Sequence, residues 1–136
     1  MKKIYAIVLA LSVILLLSGC SAAKLSEVYS EEEVISRAKE VVELINVSDF
    51  SAVNAEVRED LQEALNTEKL QEAIGAFVND AGTFVEFSTI VTTGQKSKST
   101  GEDYAVAVLV CKYENANIIY TIAMDQNMDI VGLYVK

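Results

Sequence analysis

Residues 103–135 read DYAVAVLVCKY (103–113), ENA (114–116), NIIYTIAMD (117–125), QN (126–127) and MDIVGLYV (128–135). Three runs rich in Val, Ile and Tyr, parted by turn-forming residues, are the pattern of consecutive antiparallel strands. A fourth run, TFVEFSTIV at 83–91, precedes them, so the second half of the chain is expected to form a four-stranded antiparallel meander. ENAN and DQNM supply its later turns, and TTGQKSKSTGE (92–102), with Lys96 and Lys98, reads as the loop between the first two strands. In the first strand Val85, Phe87, Thr89 and Val91 are expected on one side, with Glu86 and Ser88 on the other. The second strand is apolar on both: Tyr104, Val106, Val108 and Val110 point one way, and Ala105, Ala107, Leu109, Cys111 and Tyr113 the other. An antiparallel sheet covered by helices on one face ordinarily turns polar residues to water on its second face. Here either the sheet curls round a pocket or its outer face meets a partner, a homodimer through the sheet being one such arrangement.

Helices to cover the sheet lie upstream. Ser30-Glu31-Glu32-Glu33 has the form of a capping box, and Val34, Ile35, Ala38, Val41, Val42 and Ile45 recur at helical spacing, predicting a helix over 31–46. The three glutamates suit the positive end of the helix dipole rather than a metal, since adjacent helical residues do not face one another. Val57, Leu61, Ala64 and Leu65 share a face in a weaker segment near 49–65. Thr67 is expected to cap a third helix lined by Leu70, Ala73, Ile74, Phe77 and Val78 and ended by Gly82.

At the start of the chain, Lys2 and Lys3 precede an uncharged apolar run over 4–17 that stops at Ser18-Gly19-Cys20, the order of a secretory signal. Fourteen helical residues reach roughly 21 Å, short of a hydrocarbon core of roughly 30 Å. An uncleaved anchor over 4–23 is the alternative. Leu17-Ser18-Gly19-Cys20 resembles the lipobox of bacterial lipoproteins. That resemblance implies cleavage between Gly19 and Cys20, diacylglycerol on the Cys20 thiol and an acyl chain on its new amino group. Two or more acyl chains hold a membrane durably where one does not. The expected organisation is therefore a signal at 1–19, a lipidated tether at 20–29 and one domain at 30–136, at the extracytoplasmic face of the cell membrane.

The chain has 11 basic and 20 acidic residues, a net charge of −9. Without residues 1–19 the 117-residue remainder carries 9 basic against 20 acidic residues, a net charge of −11. That balance argues against nucleic acid and against electrostatic adhesion to anionic lipid. The chain contains no histidine, which removes Ser-His-Asp and Cys-His catalysis and the usual zinc sets built on His. With Cys20 lipidated, Cys111 has no disulfide partner and reads as a small buried side chain.

Three helices before a curved four-stranded sheet resemble the cone of the cystatin-like and nuclear-transport-factor-2-like superfamily. More narrowly, LNTEKLQEAIGAFVNDAGTF and VAVLVCKYENANIIYTIAMDQNMDIVGLYV resemble the family called domain of unknown function 3887, over roughly residues 33–136. Thr67, Glu68, Leu70, Gly82, Cys111, Tyr113, Ile130, Gly132 and Leu133 carry the likeness. The resemblance implies an α+β fold and an accessory role, sometimes beside hydrolases, and transfers no catalytic residue. Here the domain is expected to act alone on its tether.

Candidate sites are few. Asp125-Gln126-Asn127-Met128-Asp129 imitates the opening of a calcium loop but has Ile130 where glycine is required and Lys136 where a bidentate Glu is required, so it reads as a polar hairpin turn. Asn46-Val47-Ser48 matches a glycosylation sequon without meaning in a bacterial lipoprotein. Tyr104, Tyr113, Tyr120 and Tyr134 are polar-tipped residues on apolar strands, able to orient a ligand in a cone-shaped cavity or simply to pack at strand ends. The expected function is a non-catalytic module binding a small apolar ligand or an envelope protein, with no cofactor beyond the lipid on Cys20. The alternatives are an isomerase- or dehydratase-like enzyme, with Glu86 or Asp103 as base and a tyrosine as oxyanion donor, and a dimeric structural protein of the envelope.

Overall fold

The computed structural model describes residues 24–136. The expected signal, the expected Gly19-Cys20 cleavage site and the first residues of the expected tether lie outside them. The elements are α1 (Glu31–Asn46), α2 (Phe50–Glu56), a 3₁₀ turn (Glu59–Leu61), α3 (Thr67–Ala81), β1 (Phe84–Lys96), β2 (Asp103–Tyr113), β3 (Asn117–Met124) and β4 (Ile130–Val135). The strands pair antiparallel in the order β1-β2-β3-β4, and the helices cover one face, giving the expected α+β arrangement.

Helix α1 begins where Ser30 accepts the Glu33 amide, and it buries Val34, Ala38, Val41, Val42 and Ile45. It closes with a Schellman-type end: Ser48 N–H donates to the Ile45 carbonyl and Asp49 N–H to that of Leu44, with Ser48 at φ 57. Helix α2 stops at Glu56, well short of the expected residue 65. Val57 turns extended, is buried and bridges Ile130 in parallel, while the Arg58 amide donates to the Ile130 carbonyl at 2.9 Å. The apolar spacing of Val57, Leu61 and Leu65 thus serves an edge contact and a loop. Asn54 Nδ2 ties that loop down through the carbonyls of Gln62 and Leu65 at 2.9 and 2.8 Å.

Helix α3 is capped by Asn66, whose side chain accepts the Lys69 amide, rather than by Thr67. It buries Leu70, Ile74, Val78 and Ala81, whereas Ala73 and Phe77 face outward. Gly82 ends it at φ 85, and a Cβ there would stand 3.0 Å from Asn115 Nδ2, so both conformation and space require glycine.

Strand β1 differs most from expectation. It runs on to Lys96, through half of the expected loop, and two bulges interrupt its pairing with β2, between Phe84 and Glu86 and between Phe87 and Thr89. Each inserts one residue, so the strict alternation over 85–91 is lost. Phe84, Phe87 and Ile90 pack against the core, while Val85 and Val91 stand about half exposed. Beyond the bulges, period two returns. Residues of the segment expected as a tether also pack on the domain. Tyr29 is buried, its hydroxyl donates to the Asp103 carbonyl at 2.6 Å, and Leu25 packs on the core.

Candidate functional site

The four tyrosines divide between the two faces of the sheet. Residues paired across β2 and β3 share a face, so Tyr120, opposite Leu109, lies under the helices with Tyr113. Tyr134, opposite Thr121, and Tyr104, opposite Gln95, lie on the outer face. No single cavity gathers them.

Under the helices, Tyr120 is fully buried and Tyr113 is 3% exposed, with their hydroxyls 2.8 Å apart. Tyr113 also donates to Asn46 Oδ1 at the end of α1. A carbonyl oxygen only accepts, so the protons run from Tyr120 to Tyr113 to Asn46. Burial pushes both phenols up, with Tyr120 further raised by Tyr113, so both stay protonated. Burial likewise pushes the Cys111 thiol up to about 12, which makes it a packing residue and a poor nucleophile. The relay borders a cavity of about 440 Å³ between the ends of α1 and α3, where Asn46, Ser48, Asn79, Thr83, Phe84 and Tyr113 meet. Its walls are uncharged.

The carboxylates considered for catalysis are not brought to this relay. Glu86 is exposed and pairs with Lys112 on the outer side, and Asp103 begins β2 at the opposite end from Tyr113. Asp125 is a buried carboxylate, 5% exposed, and its Oδ1 accepts the amides of Asn127 and Asp129 at 3.0 Å each. The polar turn therefore closes on its own backbone. Among the described residues no group of three or more acidic or Cys side chains is placed to hold a metal.

Arg58 organises the far end, a role that its sequence position among acidic residues does not announce. Its guanidinium lies 2.8 Å from Asp60, 3.6 Å from Glu102 and 3.7 Å from Asp125, tying three loops together. Asp60 and Tyr104 beside it raise its pKa further. Arg37 plays a similar part, pairing with Glu56 and donating to the Met128 carbonyl at 3.4 Å.

The outer face forms ordered rows across all four strands. Thr93, Val106, Ala123 and Gly132 make one, Val91, Val108, Thr121 and Tyr134 a second, and Thr89, Val110 and Ile119 a third that ends at Lys136. The Tyr134 ring leans over Gly132, where a Cβ would meet it at 3.3 Å, in the manner of an aromatic side chain covering a strand glycine. Twelve positions, at strand spacings of about 4.8 Å and row spacings of about 6.8 Å, cover roughly 400 Å². Thr89, Thr93, Thr121 and Lys136 interrupt the apolar positions, Val106 and Ala123 are 8% exposed and Gly132 is buried, so the exposed apolar area is smaller than this footprint and includes Val91 and Tyr134, each about half exposed.

Comparison with known proteins agrees with this architecture. The family described as a protein of unknown function (DUF3887) matches residues 38–133. An NMR structure of a protein from Ruminococcus gnavus ATCC 29149 superimposes with a TM-score of 0.74 at 26% identity, covering 83% of this chain and 96% of that one. No curated protein matches.

Proposed function

The chain belongs to the DUF3887 family of proteins of unknown function, and on that premise we propose that it is a non-catalytic interaction module that docks a protein partner on the outer face of its sheet. Cys20 tethers it by lipid to the extracytoplasmic side of the membrane. The observation that carries this reading is the set of cross-strand rows centred on Val108: the helices cover the other face, yet this face carries Val, Ile, Ala and Tyr side chains beside three threonines, with only Lys136 charged among its positions. A face without opposed charges at its centre can meet a copy of itself about a two-fold axis, and a second copy of the chain is the partner this reading favours. A standard interface buries about 800 Å² per partner, so the rows would form its centre and the polar rim around Glu86 and Lys112 its edge.

Two measurements test the two parts. Sedimentation velocity should give a concentration-dependent dimer for the natural chain and a monomer for Val108→Lys, with unchanged far-UV circular dichroism. A monomer at every concentration for both rejects the self-association. Intact mass of the membrane-extracted protein should begin at residue 20 with added acyl chains and lose them in Cys20→Ala. An unmodified chain retaining residues 1–19 rejects the lipid tether.

A further inference from the structure

Both long helices end at one place. Helix α1 closes after Asn46 with Ser48 at φ 57, and α3 closes at Gly82 with φ 85, so both chains turn away and leave between them the cavity of about 440 Å³ that Tyr113 borders. The buried relay fixes one group in its wall. Because Asn46 Oδ1 accepts from Tyr113, the Asn46 amide nitrogen is left with no partner among the described residues. It is reachable from solvent, since no buried side-chain nitrogen or oxygen of the described residues lacks a partner. Ser48, Asn79 and Thr83 line the same cavity, are exposed, and make no side-chain hydrogen bond among the described residues. Phe84 adds a partly buried ring, set edge-on to Phe87 at 4.9 Å and to Tyr113 at 5.5 Å between centroids.

Charge narrows the occupant. Four exposed carboxylates stand close by: Glu43 one turn before Asn46, Asp49 after Ser48, Asp80 after Asn79 and Glu114 after Tyr113. With two helix C-termini pointing the same way, they repel an anion. A cation, in turn, finds no counter-charge in the walls, because none of the four lines the cavity. Asp49 and Glu114 accept from the amides of Ala52 and Thr83. The last helical carbonyls are also taken, those of Glu43, Leu44 and Ile45 by Val47, Asp49 and Ser48, and those of Val78 and Ala81 by Gly82 and Asn115. Of the lysines at this end, Lys39 lies over the Phe87 ring and Lys112 pairs with Glu86 on the outer side. Neutral amides and hydroxyls around an aromatic ring are what remain.

From this geometry we infer that the cavity between the ends of α1 and α3 binds a neutral saccharide, its hydroxyls paired by Asn46, Ser48, Asn79 and Thr83 and its ring C–H groups laid on Phe84. Sugar hydroxyls both donate and accept, as do the side chains of Ser48, Asn79 and Thr83. Asn46 supplies a donor whose orientation Tyr113 sets before any ligand arrives, which lowers the cost of ordering it on binding. The negative face of an aromatic ring suits the polarised C–H groups of a sugar. The volume falls within the range of about 300–1,000 Å³ typical of small-molecule sites, in which a few placed polar groups set specificity. This site lies on the helix side of the sheet, so the inference stands apart from the partner proposed for the outer face.

The test is saturation-transfer NMR titration of the full chain, in a detergent without a sugar headgroup, with three disaccharides. Cellobiose and N,N′-diacetylchitobiose are neutral, and chitobiose is cationic through its free amines at mildly acidic pH. At least one neutral probe should bind, and more tightly than chitobiose. Asn79→Ala and Thr83→Val each remove one neutral hydrogen-bonding group and should raise its dissociation constant roughly two- to ten-fold. Both positions are exposed, so far-UV circular dichroism should not change. Val108→Lys, on the opposite face of the sheet, should bind the sugar as the natural chain does. Failure of both neutral probes to bind, or tighter binding of chitobiose, overturns a neutral saccharide as the occupant. Unchanged binding in both Asn79→Ala and Thr83→Val, or an equal loss in Val108→Lys, overturns the cavity as the site.

Discussion

Strand β2 carries two nearly matched sets of side chains. Ala105, Ala107, Leu109, Cys111 and Tyr113 are at most 3% exposed beneath the helices, whereas Val108 and Val110 are partly exposed on the outer face and Val106, at 8%, is sheltered there by its sheet neighbours. The chemistry of the sets differs little and their surroundings differ completely. Apolar character on a strand therefore says that a face is to be covered, and leaves open whether this chain or another molecule covers it.

The largest effects should come from the inner set. Leu109→Ala removes a fully buried side chain and should cost about 2–5 kcal/mol in chemical denaturation. A loss below about 1 kcal/mol would mean that the inner face is as loosely covered as the outer. Next comes the buried relay. Tyr113→Phe leaves the Tyr120 hydroxyl and Asn46 Oδ1 without their shared partner and should cost about 1–3 kcal/mol, while Tyr120→Phe, which leaves the Tyr113–Asn46 bond intact, should cost about 0.5–1.5 kcal/mol. Equal losses in the two would break the assigned direction of the relay.

Much of this contrast is legible in the residues. The α1 face from Val34 to Ile45 and the facing of β2 follow from period alone, because one is a long helix with a cap and the other a strand without bulges. In β1 the same reasoning fails, since Phe84, Phe87 and Ile90 recur at three-residue spacing only because two bulges absorb residues that no local pattern marks. Val57 fails for a related reason: its helical spacing competes with a bridge to Ile130, 73 positions away, and the long-range contact wins. The tyrosines were legible as polar tips but not as a site. The register separates Tyr113 and Tyr120 from Tyr104 and Tyr134, and the Asn46 that completes the relay comes from a helix end that reads merely as a stop.

A smaller effect is expected from pH. The Cys111 thiol is raised in the folded chain from 9 to about 12, and Tyr29, Tyr113 and Tyr120 are raised as well, so the folded state keeps protons that the unfolded chain releases. Their stabilisation is whole below about pH 9 and is lost as pH rises toward 12, at up to about 1.4 kcal/mol per pH unit for each group. Thermal melts between pH 7 and 11 should show that decline, and Cys111→Ala should flatten part of it. A stability that is level up to pH 11 would contradict the burial of these groups.

The smallest effect belongs to the outer set. Val108→Thr should change monomer stability by no more than about 0.5 kcal/mol while weakening association. A loss comparable to that of Leu109→Ala would show that the outer face is part of the monomer's own fold.

The most direct measurement uses two side chains that the isolated chain exposes almost equally, Tyr134 at 47% on the outer face and Phe77 at 42% on α3. Hydroxyl-radical labelling of the full chain, beside Val108→Lys, reads both at once. Labelling of Tyr134 should be suppressed in the natural chain and restored in the variant, with Phe77 the same in both. Tyr134 labelled as strongly as Phe77 in the natural chain would contradict a partner on the outer face.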